Sequence, residues 1–573
     1  MARWIERAQR HLPTLILLAL FAWVFYPSFA KHVENGANPL RMHDDARVQI
    51  PPYYRYLEPN VWKDDYLGDY AISLVPVGHR LLYSTFGRFI PADVVGKAFG
   101  YLNYLATLII VAWLASRLTR NRMSGWIAAA VIISSSVPME RMASGVNRAF
   151  AFPVMAMALA CTMYGRVTKL AILVVVGSLF YPVAGLTAGA ILAALLLLMP
   201  ARDRGEAAGW SLPKRILALV LTAGVSAMVM LPTMIASRSY GGRVLDSEHD
   251  AYPEAGPLGT HGSEDIAPYP TLFDELNNAV SRTYVGEGDQ LYKPARDLVF
   301  PHEKEMAWAF VALVLIGLLF AAWKREDVRR VFPYLAGVAV AHTVAVLCAP
   351  YFYAPSRYVL YAVIPALAVL LPVGLDALFR GPANRPRRPW VRSALGIIAC
   401  ALLLMGAGGR GSTTRGLTVH VNDDDAQIYK FISQLPERAM IAGWPDDPMS
   451  NVPYVGHRRA LMTGEMHLAY HKGYLDEVRR RITDFFEAYY ASSTGPIFAL
   501  RDKYGVTHMF LELKHFQGPA PGYMPPLGAR AKAFADANRS RGFELMRQLD
   551  RATVAKSGRF VLIDISKLVP TPQ

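Results

Sequence analysis

The sequence predicts a polytopic α-helical membrane protein with about eleven transmembrane helices and a C-terminal extracytoplasmic α/β domain. Three observations predict this fold class. The 573 residues are 53% hydrophobic and only 18% charged, a composition that excludes a chain soluble along its whole length. Long apolar runs recur as far as Gly408, and a mixed pattern of short helical and strand-like segments follows them.

The apolar runs define the predicted spans in chain order. The first, residues 12–30, follows the basic residues Arg3, Arg7 and Arg10. Its length and a poor cleavage site at its end favour a retained helix over a removed signal peptide. The remaining runs lie at residues 96–115, 124–140, 148–164, 169–181, 183–199, 215–235, 306–323, 331–349, 357–379 and 391–408. Both flanks of 169–199 carry the same charge bias, so a turn at Tyr181-Pro182 is expected.

Lysine and arginine in alternate loops predict the orientation. The net charge of +15 would suit a nucleic-acid partner, but most of it lies in short connections between apolar runs, as the positive-inside rule describes. These residues are Arg117, Arg120, Arg122, Arg166, Lys169, Arg202, Arg204, Lys214, Arg215, Lys324, Arg325, Arg329, Arg330, Arg380, Arg385, Arg387, Arg388 and Arg392. We therefore expect no nucleic acid, a cytoplasmic N-terminus, and a periplasmic or extracellular C-terminal domain in a bacterial inner membrane.

Three substantial parts are then predicted to face outward. A transmembrane domain over residues 1–409 carries two of them, the loops 31–95 and 236–305. The third is the α/β domain over residues 410–573. Its patterns predict helices at 425–435 and 471–490, strands at 440–442, 507–513 and 560–565, and a loop at 517–527. All three cysteines lie in apolar runs, which excludes a disulfide framework and a cysteine zinc site.

The first outward loop carries an acidic pair, Asp44 and Asp45, soon after the first span. Adjacent carboxylates near a bilayer can take a proton from an attacking acceptor or hold a divalent cation against a phosphate. The structural alternative is that they cap a following helix. A second acidic group, Asp64, Asp65 and Asp69, supplies secondary candidates, which capping or a turn would explain as well.

Arginines at the predicted outer ends of spans are not explained by the positive-inside rule. Arg141 and Arg148 flank one outer turn, and Arg357 begins a later span. A guanidinium can donate two parallel hydrogen bonds to a phosphate. These arginines therefore predict a site for a lipid-linked phosphate. The alternatives for any one of these arginines are snorkelling to ordinary headgroups and pairing with Glu140.

Further candidates lie in the two outward loops. His79 and Arg80 belong to a stretch of the first loop that suits the membrane interface and a phosphate contact. The second loop is expected to act as a gate or to contact the acceptor. His302 and Glu303, close to the next span, are secondary candidates. The acidic and histidine residues of the second loop are Asp246, Glu248, His249, Asp250, Glu254, His261, Glu264 and Asp265.

This arrangement resembles the GT-C superfamily of polytopic glycosyltransferases. The matching features are the pair Asp44-Asp45, interfacial helices in the same loop, outward arginines, a later outward loop and an extracytoplasmic C-terminal domain. The resemblance implies transfer of a sugar from a polyprenyl-phosphate carrier to a protein, glycan or lipid acceptor, with Asp44 as the preferred catalytic carboxylate. The chain has no WWDYG-type signature, which favours a monosaccharide donor. The superfamily has members with and without a metal, so a divalent cation remains an open cofactor.

Two other classes compete with this hypothesis. A transporter or flippase for a lipid-linked or polyanionic cargo would place polar residues near the middle of several spans, where His342 is the clearest example. A non-catalytic scaffold gives no reason for Asp44, Arg148 and Arg357 to converge. Their meeting in one place is therefore the structural test.

Overall fold

The computed structural model describes residues 2–256, 259, 269–284, 312, 315–319, 325–349, 351–352, 354–379, 389–407 and 413–571. Five of the described helices are long and apolar enough to cross a membrane: Leu12–Ala37, Ala92–Thr119, Leu212–Arg238, Glu326–Leu347 and Ser356–Ala377. Four shorter apolar helices accompany them: Arg122–Ser134, Asn147–Met163, Val167–Phe180 and Pro182–Leu197. The chain is thus a largely helical integral membrane protein. The count of eleven spans stays a prediction, because most of 306–323 lies outside the described residues.

The helices follow the predicted apolar runs closely. In chain order they are α1 (Ala2–Ala37), α2 (Ala46–Gln49), α3 (Tyr66–Leu74), α4 (Val77–Phe86), α5 (Ala92–Thr119), α6 (Arg122–Ser134), α7 (Ser136–Met142), α8 (Ala151–Met163), α9 (Val167–Phe180), α10 (Pro182–Leu197), α11 (Leu212–Arg238), α12 (Leu272–Tyr284), α13 (Glu326–Arg329), α14 (Val331–Leu347), α15 (Ser356–Phe379) and α16 (Pro389–Ala407). The turn expected at Tyr181 is confirmed, since Pro182 begins α10 and its fixed φ suits a first helical turn. The run predicted at 124–140 is divided at Ser135 between α6 and α7.

Several basic connections meet at one end of the helical bundle. The Arg329 Nη2 lies 2.7 Å from Asp203 Oδ1, and the Arg330 Nε donates to the Asp203 carbonyl at 2.6 Å. The Arg325 Nη2 donates to the Leu118 carbonyl, also at 2.6 Å. We call this the basic end. The loop of residues 31–95, for which we keep the name first outward loop after its predicted side, lies with the C-terminal region at the opposite end, which we call the domain end.

The C-terminal region is a mixed α/β structure, as predicted. Its five-stranded sheet has the order β4-β3-β5-β7-β6, with β3 parallel to β4 and β5 and the remaining pairs antiparallel. The strands are β3 (Met440–Gly443), β4 (Arg459–Ala460), β5 (His508–Glu512), β6 (Thr553–Ser557) and β7 (Phe560–Asp564). The helices are α17 (Asp423–Ser433), α18 (Asp447–Val455), α19 (Lys472–Tyr489), α20 (Gly495–Tyr504), α21 (Leu527–Arg539), α22 (Glu544–Arg547) and α23 (Leu549–Ala552). Helix α18 and strands β4 and β6 were not predicted, because short segments carry little periodic signal.

The first outward loop is joined to the C-terminal region by backbone pairing and by a shared core. Strand β1 (Arg41–Met42) pairs antiparallel with β2 (Val419–His420). Ile50 and Tyr54 of the loop lie in one buried apolar cluster with Val452 of α18. This packing fixes the acidic pair, which directly follows β1, against the C-terminal region. The predicted domain boundary at residues 409–410 stays a prediction.

Candidate active site at the domain end

Asp45 lies within reach of the charges of three arginines, which come from two distant parts of the chain. Its Oδ2 is 2.6 Å from the Arg148 Nη1. Burial acts to raise the pKa of Asp45, but the charge of Arg148, with smaller effects from Arg357 and Arg141, lowers it. Asp45 is therefore a carboxylate at neutral pH. We call Arg141, Arg148 and Arg357 the arginine cluster.

Arg148 is held in place by a tight turn that precedes it. Within this turn Gly145 has φ +63°, and a Cβ there would lie 2.1 Å from the Gly96 carbonyl oxygen of α5. Such close backbone contact and positive φ require glycine. The Gly145 carbonyl accepts hydrogen bonds from the Tyr83 hydroxyl at 2.9 Å and from the His79 ring at 3.1 Å. The turn is thus fixed from two sides before the chain reaches Arg148.

The Arg148 side chain is only 3% exposed. Its Nη2 lies 2.8 Å from the His43 Nε2. Burial and the charge of Arg148 lower the pKa of His43 to about 3, so the imidazole is neutral. Tyr181, the residue between α9 and α10, lies beside the Arg357 side chain and within reach of the charge of Arg148. The cluster thus brings a turn after α7, the turn between α9 and α10, and the start of α15 to one place.

Arg141 has a local partner as well. Its Nε lies 3.3 Å from a Glu140 carboxylate oxygen, and Glu140 also accepts a 3.0 Å hydrogen bond from Arg282 of α12. The pairing that the sequence offered as an alternative for Arg141 is confirmed. The charge of Arg141 still lowers the pKa of Asp45, although by less than the charges of Arg148 and Arg357.

His79 contacts the turn rather than the arginine cluster. The ring is fully buried, with Nδ1 2.8 Å from the Tyr53 hydroxyl and Nε2 facing the Gly145 carbonyl. Burial lowers the pKa of His79 to about 4, so the neutral ring can accept from Tyr53 and donate to Gly145. This makes His79 a positioning residue for the turn that carries Arg148. The half-buried Arg80 lies near Tyr53, and among the described residues it has no ion pair.

The buried histidine predicts acid sensitivity of the folded state. The unfolded chain protonates His79 as the pH falls through 6.5, whereas the folded chain does so only near pH 4. The stability present above pH 6.5 should therefore fall through this window, by about 1.4 kcal/mol per pH unit for this group. Thermal unfolding midpoints across the window test the effect. The decline should be shallower in His79→Gln, and equal slopes in the two proteins would contradict the buried neutral imidazole.

Asp44 faces the C-terminal region and belongs to a second charged group. It accepts a hydrogen bond from Arg47, whose side chain is only 1% exposed. The Arg47 Nη2 also lies 3.1 Å from Asp447 Oδ1 and 3.0 Å from Glu465 Oε1. Burial raises the pKa of Glu465 to about 7, against the opposing charge of Arg47. We call Asp44, Arg47, Asp447 and Glu465 the Arg47 cluster.

The sequence did not single out Arg47, Asp447 or Glu465. One signal was available, because Asp446 and Asp447 begin three residues after the end of β3 at Gly443. Acidic residues after a strand of a parallel sheet lie at its carboxyl edge, where α/β sheets bind ligands. The pairing of that edge with the first loop could not be inferred from spacing.

The second acidic group has structural partners of its own. Asp65 caps α3 by accepting from the Gly68 N–H, which confirms the capping alternative, and burial raises its pKa to about 6. Asp69 pairs with Arg55 at 2.7 Å. Asp64 lies 3.5 Å from Arg438. None of these contacts involves the arginine cluster. Of the other secondary candidates, His302 and Glu303 lie outside the described residues, as do His261, Glu264 and Asp265.

The described part of the second outward loop is joined to α19. Glu254, which is fully buried, pairs with Arg479 at 2.6 Å. Glu248 pairs with Lys472 at 2.5 Å. These two acids therefore serve as ion-pair partners that fix the start of the loop on the C-terminal region. The role of the loop as a gate stays a prediction.

Two sets of side chains have the spacing of metal ligands. One is Asp44, Asp447 and Glu465, and the other is Asp446, Glu512 and His515, with ligand atoms within 4.8 Å of one another in each set. In the second set, Asp446 caps α18 and the His515 Nε2 lies 3.2 Å from Glu512. Glu512 also pairs with Lys514 at 2.7 Å and with Arg559 at 3.2 Å, so its charge is already balanced by cationic side chains. The first set surrounds Arg47.

An apolar groove of about 520 Å³ lies between α9, α10 and α11. It extends along α10 from Gly185, one turn after Tyr181, to Ala193, and includes Ser178 of α9 and Ser226 of α11. Small residues keep it open on the α10 side. The groove therefore begins close to the arginine cluster and continues between helices toward the basic end.

No family model and no curated protein matches the chain. Among solved structures, ArnT from Cupriavidus metallidurans in the apo state is 15% identical, with 97% of this chain and 100% of that chain covered and a TM-score of 0.49. The same protein bound to undecaprenyl phosphate is 14% identical, with 96% of this chain and 100% of that chain covered and a TM-score of 0.48. The apo oligosaccharyltransferase of Archaeoglobus fulgidus is 14% identical, with 88% of this chain and 70% of that chain covered and a TM-score of 0.48. With TM-scores below 0.5, this likeness does not by itself assign a function.

Proposed function

We propose that the protein is a glycosyltransferase that moves a sugar from a polyprenyl-phosphate carrier to an acceptor at the outer face of the membrane. One observation carries the proposal. Arg148 and Arg357, from two distant stretches of the chain, both act on the carboxylate of Asp45 at the domain end. Charged groups are expensive to bury near a bilayer and mark functional sites there. A scaffold would have no use for this convergence.

The arginine cluster suits the phosphate of the carrier. Arg148 and Arg357 supply two guanidinium groups, and guanidinium matches phosphate oxygens geometrically. The apolar groove that begins one turn from Tyr181 suits the prenyl chain, because its lining is almost entirely aliphatic. Headgroup and tail would thus occupy adjoining sites.

The proposed reaction is an inverting displacement at the anomeric carbon. The acceptor oxygen forms the new bond on one face of the sugar, and the bond to the phosphate oxygen breaks on the other, with the electron pair leaving on the phosphate. Asp44 takes the proton of the acceptor hydroxyl, because its half-exposed carboxylate is accessible from the domain end. Asp45 orients Arg148, and the arginine cluster stabilises the charge that develops on the departing phosphate. A phosphate needs no acid to leave.

The acceptor is proposed to enter between the first loop and the C-terminal region. Asp44 lies at this junction, beside Asp447, whose side chain is 81% exposed. The basic end would then face the cytoplasm, as the positive-inside rule predicts for its loops. A monosaccharide donor remains the expectation from the sequence. The transporter hypothesis has less support, since the sequence offers one clear polar residue near the middle of a span, His342 of α14.

Binding of undecaprenyl phosphate to the detergent-solubilised full chain tests the donor site. Arg357→Gln should weaken this binding about 10-fold to 100-fold, because a hydrogen bond to a charged group contributes about 1.5–3 kcal/mol. Native mass spectrometry or a titration in mixed micelles gives the affinity. Arg88→Gln removes the same charge from an exposed position of the first loop and should leave the affinity unchanged. Equal affinities in all three proteins would overturn the assignment of the phosphate site.

A further inference from the structure

The three carboxylates around Arg47 have the spacing of a divalent-cation site. Oxygens of Asp44, Asp447 and Glu465 lie within 4.8 Å of one another. Carboxylate oxygens are the preferred ligands of Mg²⁺, Ca²⁺ and Mn²⁺. A cation at this place would have a clear purpose, since it would join the acidic loop to the carboxyl edge of the sheet.

The Arg47 guanidinium fills the space in which such an ion would lie. Its Nη2 contacts Asp44, and lies 3.1 Å from Asp447 and 3.0 Å from Glu465. An ion bound to the same oxygens would be about 2.0–2.6 Å from each of them, in the volume of that nitrogen. Arginine does not lose its proton in proteins, so the positive charge is permanent. Its side chain is 1% exposed, so it has no free route into solvent.

We propose that Arg47 is the resident cation of this cluster and takes the place of a divalent metal ion there. The same side chain donates to the Asp447 carbonyl at 3.3 Å and to Asn451 Oδ1 at 3.4 Å. It therefore connects α2 to α18 directly, with no dependence on metal supply. Asp44 is thus oriented by Arg47, a residue of the same loop three positions along the chain, and not by a bound ion.

The charge balance of the cluster agrees with a monovalent centre. One guanidinium faces three carboxyl groups, so a single negative charge is in excess when one of the three acids is neutral. Burial raises the pKa of Glu465 against the charge of Arg47, the direction expected where one positive charge faces several acids. A metal ion would instead favour the ionised form of all three ligands.

Mn²⁺ binding by the detergent-solubilised full chain tests the proposal without donor or acceptor. Electron paramagnetic resonance should show that the wild-type protein and Glu465→Gln bind the same amount of Mn²⁺, because the wild-type cluster holds none. Arg47→Met keeps the aliphatic stem and removes the guanidinium, so it should create a site for roughly one Mn²⁺ per chain. The double variant Arg47→Met/Glu465→Gln should lose that site again.

Folding of the variant can be read in the same titration. If Arg47→Met is destabilised by its unpaired carboxylates, Mn²⁺ should raise its thermal midpoint and leave the wild-type midpoint unchanged. The proposal would be overturned if the wild-type protein bound Mn²⁺ and Glu465→Gln did not. A folded Arg47→Met that gains neither Mn²⁺ nor thermal stability would also overturn it. Because no sugar is involved, the outcome is independent of the proposed transfer reaction.

Discussion

Asp44→Asn should lower sugar transfer by about 10²-fold to 10⁴-fold, the range that a general base contributes. The amide keeps the size of the side chain but cannot take the acceptor proton. Its oxygen can still accept from Arg47, so the fold should be retained. Release of undecaprenyl phosphate from a panel of undecaprenyl-phosphate monosaccharides, incubated with cell envelopes as the acceptor source, measures the effect. Binding of undecaprenyl phosphate should change little, because the arginine cluster is intact.

Two companion variants make this result specific. Asp45→Asn should also lower transfer, because the carboxylate that orients Arg148 at 2.6 Å is lost. Asp502→Asn is the matched control, since Asp502 is exposed on α20 and pairs with Arg501. It should transfer at the wild-type rate. Unchanged turnover in both loop variants would refute a catalytic role for the acidic pair.

Gly145→Ala should strongly destabilise the domain end of the bundle. A left-handed conformation costs a non-glycine residue about 1–2 kcal/mol, and overpacking adds about 1–3 kcal/mol. The added methyl group would meet the Gly96 carbonyl at 2.1 Å and its Cα at 2.7 Å, which are backbone atoms and cannot rotate away. The thermal midpoint in detergent should therefore fall. Binding of undecaprenyl phosphate should weaken as well, because the turn carries Arg148.

Gly224→Ala supplies the contrast within the same chain. Gly224 lies inside α11, and an added Cβ there has no atom within 4 Å. Alanine is about 1 kcal/mol more favourable than glycine in a helix interior, so the midpoint should rise or stay the same. A comparable loss of stability in both variants would show that the glycine contact at the turn is not the cause.

The sequence predicted the apolar helices well because the requirement for them is local. A helix that crosses a bilayer must satisfy its backbone hydrogen bonds internally and cover them with apolar side chains, and both needs are visible in a continuous run. Two other local signals also succeeded: the charge of the flanking loops predicted the break at Tyr181, and helical periodicity predicted the helix Lys472–Tyr489. Short segments such as β4 were missed, since they form only when a neighbouring strand pairs with them.

The candidate site was predicted in part. The acidic pair and the arginines were singled out as residue types in unexpected places, and the structure brings Asp45, Arg148 and Arg357 together. His79 was interpreted as a phosphate contact, yet it bonds the Gly145 carbonyl. Its neutral, buried state depends on helices that close around it. No local pattern distinguishes a histidine that binds a ligand from one that satisfies a carbonyl.

By itself, the sequence determined that the chain is a helical membrane protein and which residues are chemically able to form a site of carboxylates and guanidinium groups. Only the tertiary structure decided which of them meet. Asp447 and Glu465 lie 400 and 418 residues from Arg47 along the chain, and such pairs depend on how strands and loops close in space. The hydropathy of a segment depends only on residues that are neighbours in the sequence. An ion pair depends on the distance between two side chains, which the folding of the whole chain sets.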